Sequence, residues 1–275
     1  MVKMKKVLSL VLAGAMFASV VSLTSVASAP KTMTPGTLTI GVDTTYPPME
    51  FVKTTGSGYQ GFDVDLSTAI GKKLGMKINL ISINWSGIFN ALDSKKFDCI
   101  ISSVSITPER LKNKIFSKPY LKNAQVILTR KGDNSVKKLT DLKGANIGCQ
   151  AGTTAEDSLN TLAKHDKYTF NKTTYDAMTD CLLALKTKRI NVVVCDEVVG
   201  DYFVKDQSKV YQKVGPTLTN EPIGVCFRKD SAALRDKVQS ALNALVKDGT
   251  LKKLSVKWFG LDLTKNISTT YKEVK

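Results

Sequence analysis

The stretch Ser102-Ser103-Val104-Ser105-Ile106-Thr107-Pro108-Glu109-Arg110 sets three serines and a threonine ahead of a proline and an arginine. Thr107 suits the cap of a helix that opens with Pro108 at its first position and carries Glu109 in its first turn. Arg110 then falls beside the N–H groups that a helix start leaves without intrahelical partners. A guanidinium fork, free hydroxyls and a helix N-terminus together hold a carboxylate well. The plainer reading pairs Arg110 with a surface acid and leaves Ser102, Ser103 and Ser105 as edge-strand filler. Later in the chain, the apolar run Val192-Val193-Val194-Cys195 ends on Asp196. A buried carboxylate without a partner is costly, and an incoming ammonium resolves that cost. Asp196 is also well placed to cap a helix over "EVVGDYF", a role compatible with binding.

Both segments need strand ends to present them. Apolar runs alternate with helical patterns, beginning with "TLTIGVD", the helix "FDVDLSTAIGKKLG" closed by Gly75, and "KINLISI". The helix "WSGIFNALDSKK" and the strand "FDCIISS" follow, so Ser102, Ser103 and Ser105 stand at a carboxyl end. Past residue 130 the pattern restarts with "ANIGCQ", the helix "TTAEDSLNTLAK", "YTFNK", the helix "YDAMTDCLLALKTK" and "NVVVCD". This alternation predicts an α/β fold of two units, each a mostly parallel sheet flanked by helices. The extended runs "NAQVILTRKG" and "EPIGVCFRKD" carry the chain into the second unit and back. The expected division is 30–124 plus 226–275 for the first lobe and 125–225 for the second, with hinges near 123–130 and 221–228. Ligands of open α/β sheets bind at the carboxyl ends of strands, which places a cleft between the lobes.

Lys3, Lys5 and Lys6 precede an apolar run from Val7 to about Leu23, and the small residues "SVASA" follow. Residues 1–29 therefore read as a cleavable secretory signal peptide, although Pro30 is a poor residue just after the cut. The rival, an uncleaved anchor, fits less well because Ser9, Gly14 and Ser19 interrupt the run. In "LAGA", Ala15 stands where a lipid-bearing cysteine would be, so no lipid anchor is expected. About 245 residues remain, enough for two lobes with proper cores. The formal charge of +16 becomes +13 once the three leader lysines are gone, and the remaining basic residues are scattered rather than massed in a stripe. Nucleic-acid binding is therefore not expected, and a solvated basic surface is the simpler account. Five cysteines, Cys99, Cys149, Cys181, Cys195 and Cys226, are an odd number without metal-ligand spacing. Buried free thiols that behave as small hydrophobes are expected, with no metal and no cofactor.

The segments "GFDVDL" (61–66), "SITPERLKNKIFSKPY" (105–120), "GTTAE" (152–156), "CDEVVGDYF" (195–203) and "DGTLKKLSVKWFG" (248–260) resemble, in order, the polar amino-acid-binding family of extracellular solute-binding proteins, family 3. The resemblance spans nearly the whole chain after the leader and is nearest to the lysine, arginine, ornithine and histidine binders. It implies a two-lobed fold of the periplasmic-binding-protein type II kind. It also implies an exported monomer that closes on a free L-amino acid and delivers it to the membrane permease of an ABC importer. On the matching positions, Arg110 would fork onto the α-carboxylate, while Ser103 and Ser105 would contact the backbone end of the ligand. Asp196 would pair with the α-ammonium, and Thr153 and Thr154 would complete the carboxylate site. Asp43, Tyr46 and Trp85 match side-chain contacts of the basic binders. A carboxylate with two aromatic faces suits a long cationic chain. Plainer roles remain for Asp43 as a turn residue and Trp85 as a core aromatic. The glutamine binders of the family also carry an acid at the position of Asp43. Gln150 suits a guanidinium or an amide equally, and His165 reads as an exposed loop residue.

A dehydratase on the same scaffold is the competing class. No nucleophile–base arrangement or paired carboxylates are legible, and Arg110 with Asp196 fits an α-amino acid held at both charges. A sensory domain would need a following transmembrane segment, and none is read. The expectation is a binding protein, not an enzyme, with arginine or lysine ahead of glutamine or cystine.

Overall fold

The computed structural model describes residues 31–165 and 168–273. The expected signal peptide lies outside the described residues. The chain opens with β1 (Thr37–Val42) and a small antiparallel sheet of β2 (Thr45–Tyr46), β3 (Glu50–Val52) and β4 (Tyr59–Gln60). Helix α1 (Phe62–Leu74), β5 (Lys77–Ser82), α2 (Trp85–Asp93), β6 (Cys99–Ile100), α3 (Pro108–Asn113) and β7 (Lys114–Phe116) follow. Helix α1 carries Asp63 and Asp65 in its first turn and Lys72 and Lys73 in its last, and Gly75 closes it in the left-handed conformation. Those charges complement the helix dipole, and glycine takes the left-handed cap without the Cβ penalty.

The chain next runs through β8 (Leu121–Asn123) into β9 (Gln125–Arg130), β10 (Asn146–Gln150), α4 (Thr154–Leu162), β11 (Asn171–Tyr175) and α5 (Met178–Lys186). It continues through β12 (Val192–Asp196), α6 (Glu197–Asp206) and β13 (Tyr211–Val214). It returns through β14 (Thr219–Ile223) to β15 (Cys226–Arg228), α7 (Ala232–Lys247), α8 (Thr250–Phe259) and β16 (Lys272–Glu273). Two five-stranded sheets result, ordered β5-β1-β6-β15-β7 and β11-β10-β12-β9-β13. In each, one strand (β15 or β9) runs against the other four, so both sheets are mostly parallel, as the alternating pattern predicts.

The two lobes meet through β8 and β14, which pair antiparallel with Glu221 opposite Asn123 and Ile223 opposite Leu121. β16 adds a third strand to this hinge sheet by pairing with the start of β14. Strands inside each lobe are buried on both faces. In β12, Val192 and Val194 pack with Ile127 and Leu159, while Val193 and Cys195 pack on the other side with Val126 and Leu128. Covered faces of this kind produce the continuous apolar runs seen in the sequence.

Two expected elements differ. "FDCIISS" forms a ladder only over Cys99–Ile100, because Ser102 and Ser103 leave it to bond side chains instead, and Ser103 turns into the left-handed region with φ 48°. "YTFNK" is displaced toward the C-terminus, to Asn171–Tyr175. There Tyr168 and Phe170 pack into the core of the second lobe ahead of an edge strand whose side chains are largely exposed or half-buried.

Candidate functional site

All eleven residues singled out from the sequence line one cavity of about 310 Å³ between the lobes. Asp43, Tyr46, Trp85, Ser102, Ser103, Ser105 and Arg110 come from the first lobe, and Gln150, Thr153, Thr154 and Asp196 from the second. The two walls touch. Trp85 Nε1 donates to the Gly152 carbonyl at 2.9 Å, and Gln150 Nε2 donates to Asp43 Oδ2 at 2.7 Å. Gly152 holds φ 71°, which turns its carbonyl toward Trp85 with only glycine's freedom.

Arg110 sits where the capping argument puts it. Thr107 is the N-cap of α3, and its Oγ1 accepts from the Arg110 backbone N–H at 3.2 Å. The side chain returns toward the cavity, where Nη1 donates to the Ser105 carbonyl at 3.0 Å. The guanidinium also lies 5.4 Å from the Trp85 ring and 5.1 Å from the Phe89 ring. Two aromatic faces hold a cation by its attraction to their π-systems and fix its fork in place. Burial lowers its pKa, opposed by the charge of Glu221, and a guanidinium stays protonated through such a shift.

The serines are fixed from behind. Ser102 Oγ donates to Glu50 Oε1 at 2.5 Å and accepts from the Asp43 N–H at 3.0 Å. The Ser103 N–H donates to Asp63 Oδ2 at 2.8 Å, while its hydroxyl is buried without a partner among the described residues. A left-handed serine costs about 1 to 2 kcal/mol, and strain of this kind collects at functional sites. The carboxyls behind it are themselves perturbed. Burial and then the Asp63 charge raise Glu50 well above the carboxylate range, and burial pushes Asp63 up to about 6. Gly61 lets this pair form, because a Cβ there would stand 2.1 Å from the Met49 carbonyl oxygen, where β3 crosses the start of α1.

Across the cleft, Asp196 occupies the N-cap position of α6, but its side chain caps nothing there. Its Oδ1 instead accepts from Gln125 Nε2 at 2.5 Å, and its carboxyl is pushed up to about 7, by burial first and then by the charge of Glu221. The Tyr46 hydroxyl shares a hydrogen bond with it, and burial followed by the Asp196 charge raises Tyr46 well above its ordinary value. Thr153 is the N-cap of α4, with Oγ1 donating to the Gln150 carbonyl at 2.7 Å. The Thr153 hydroxyl also accepts from the Glu156 N–H at 3.5 Å, so the cap holds the first turn of α4 against the cavity wall. Asp43 accepts from the Thr45 N–H and hydroxyl as well as from Gln150, so its three donors are all neutral.

Sequence reasoning missed Phe89, Gln125 and Glu221. Phe89 follows Trp85 by one helical turn, a spacing that signals a shared face. Glu221 opened the second crossing, and an acid leading an apolar strand was the available signal. No group of residues fit to hold a metal ion exists among the described residues. His165 is exposed in a bend after α4, with its ring against Tyr168. No helix of the described residues is long and apolar enough to cross a membrane.

Two α/β lobes joined by paired hinge strands, with a polar cavity between their strand ends, define a two-lobed solute-binding protein. The match of residues 38–261 to the bacterial extracellular solute-binding proteins, family 3, shows that the chain belongs to that family. It is similar to the L-cystine-binding protein TcyJ of Escherichia coli K12, with 34% identity over 84% of this chain and 85% of that protein. It is also similar to the arginine-binding extracellular protein ArtP of Bacillus subtilis 168, with 32% identity over 81% of this chain and 86% of that one. Among solved structures, an ancestral arginine-binding protein bound to arginine superposes with a TM-score of 0.77 and 38% identity, covering 82% of this chain and 99% of that one. AncCDT-1, an ancestral amino acid-binding protein described as a precursor of cyclohexadienyl dehydratase, superposes at 0.74 with 34% identity over 82% and 96% of the two chains.

Proposed function

We propose that this protein works outside the cytoplasm, captures a free basic L-amino acid, arginine or lysine, between its lobes, and delivers it to the permease of an ABC importer. The observation that carries the reading is the charge set of the cavity: one guanidinium, Arg110, and two carboxylates, Asp43 from the first lobe and Asp196 from the second, line the same space. Arg110 and Asp196 complement the carboxylate and ammonium of an α-amino acid. Asp43 is left over, and its neutral donors leave its charge for a cationic side chain. The expected moving bodies are 30–124 with 226–275 and 125–225, turning about the β8–β14 sheet, and the working unit is a monomer.

Arginine-binding relatives support the cationic ligand. The similarity to TcyJ favours one second reading, because cystine carries a second ammonium that Asp43 would take. Catalysis is not part of the proposal. AncCDT-1 is itself described as an amino acid-binding protein, and turnover of cyclohexadienyl acids by the purified chain would overturn the binding-only reading. The deciding experiment is a thermal-shift screen against the twenty amino acids with ornithine and cystine, since a ligand of the folded state raises its stability by RT ln(1 + [L]/Kd). Arginine and lysine should give the largest shifts, and a shift with cystine or glutamine alone would displace them.

A further inference from the structure

Glu221 lies on hinge strand β14, is 1% exposed, and receives bonds from both lobes. Ser105 Oγ of the first lobe donates to Oε2 at 2.6 Å, and Thr154 Oγ1 of the second donates to the same oxygen at 3.1 Å. Thr219 Oγ1 donates to Oε1 at 2.8 Å, and the Asn123 amide donates to Oε2 at 3.5 Å. An oxygen that faces amide protons is an acceptor, so the hydroxyl protons of Ser105 and Thr154 point at Glu221.

A hydroxyl has one proton and two lone pairs. With that proton committed, Ser105 Oγ and Thr154 Oγ1 can offer the cavity only lone pairs, and Thr154 already spends one on Gln125 Nε2 at 3.0 Å. Gln125 also donates to Asp196, so the acid and both hydroxyls belong to one hydrogen-bonded cluster on the hinge side. The unpartnered Ser103 hydroxyl and the Arg110 guanidinium are the donors. The cavity is thus sorted into an accepting half and a donating half.

We infer that Glu221 is a positioning residue of the amino-acid site, which takes the Ser105 and Thr154 protons and so turns a hydroxyl of each lobe into an acceptor for the ligand's ammonium. The inference rests on the proposed α-amino-acid reading, but not on which side chain the ligand carries. It moves Thr154 from the carboxylate half, where the family resemblance puts it, to the ammonium half. Because the two hydroxyls come from different lobes, the acceptor set is complete only when the lobes are closed.

The test compares ligands with and without the ammonium. Glu221→Gln presents an amide N–H that donates to the hydroxyls and turns their protons toward the cavity. Titration calorimetry would measure L-arginine and agmatine, which keep the ammonium, beside 5-guanidinopentanoic acid, which lacks it. L-glutamine beside glutaramic acid serves if the wild type prefers a neutral side chain. Affinity for the ammonium-bearing ligands should fall about 10- to 100-fold, as for loss of a hydrogen bond to a charged group, with the des-amino acids changed less than threefold. Ser105→Ala, which removes the accepting oxygen at the cavity, should give the same selective loss and keeps the test valid if Glu221→Gln does not fold. Equal losses for both ligand types, or no loss in either variant, would overturn the inference. A wild-type protein that binds no α-amino acid would instead remove the functional reading beneath it.

Discussion

Gln150 donates one amide proton to Asp43 at 2.7 Å and another to the Asp176 carbonyl at 3.0 Å, so a residue of the second lobe holds the acid of the first. The bond is from a neutral amide and leaves the acid without a cationic partner, so a cationic ligand group would supply one. Asp43→Asn keeps the shape and the acceptor oxygen but removes the charge. Affinity for arginine and lysine should fall about 10- to 100-fold, the range of hydrogen bonds to charged groups, while affinity for glutamine changes little. Calorimetric titrations of the variant with all three decide it, and parallel losses would show that Asp43 does not read ligand charge.

The backbone clamp makes a broader demand. Arg110 is held by the Ser105 carbonyl and two aromatic rings, and Asp196 by Gln125. Arg110→Ala or Asp196→Ala should weaken every amino acid alike, by about 3 to 5 kcal/mol if a buried ligand charge is left unpaired. A variant that loses one amino acid and keeps another would place that residue at the side-chain end instead.

How much of this was legible depended on whether the cause was local. The Thr107 cap and the position of Arg110 follow from neighbours within three residues, and they appear in the structure as the sequence implies. Both crossings also showed, because a run such as "NAQVILTRKG" has no helical period. The displaced β11 did not, since "NKTTY" is an edge strand with little buried surface and Phe170 looked like its centre. β16 was equally silent, being two residues long and polar. Glu221 was read as a hinge residue because nothing in the sequence shows that Ser105, 116 positions away, points its hydroxyl at it.

The five thiols give a simple chemical test. All are buried and unpaired, and burial raises Cys149 and Cys226 to about 12 and the other three well above their ordinary value. Thiolates, not thiols, attack disulfide reagents. The native protein should therefore be inert to an aromatic disulfide at neutral pH, and the unfolded protein should release five equivalents. A fast-reacting thiol in the native state would place a cysteine at an accessible surface.

Acid should act in opposite directions on the free and the liganded protein. Asp196, raised to about 7, binds its proton more tightly folded than unfolded, and Asp63, raised to about 6, and Glu50 share that sign. Between about pH 4, the ordinary carboxylate pKa, and about pH 7 the native state holds more protons than the unfolded one. The slope of unfolding free energy with pH is then negative. Ligand-free protein should lose melting temperature as pH rises through that window and level off above it. Ligand ammonium needs Asp196 ionised, so affinity must run the other way, rising with pH and flattening above about 7. Each unit below the pKa costs at most about tenfold, so binding at about pH 5 should be up to roughly 100-fold weaker than at about pH 8. Titrating a basic amino acid whose own charges are constant over this range isolates the protein's proton. A dissociation constant that stays flat from acid to alkaline conditions would show that Asp196 does not meet the ammonium.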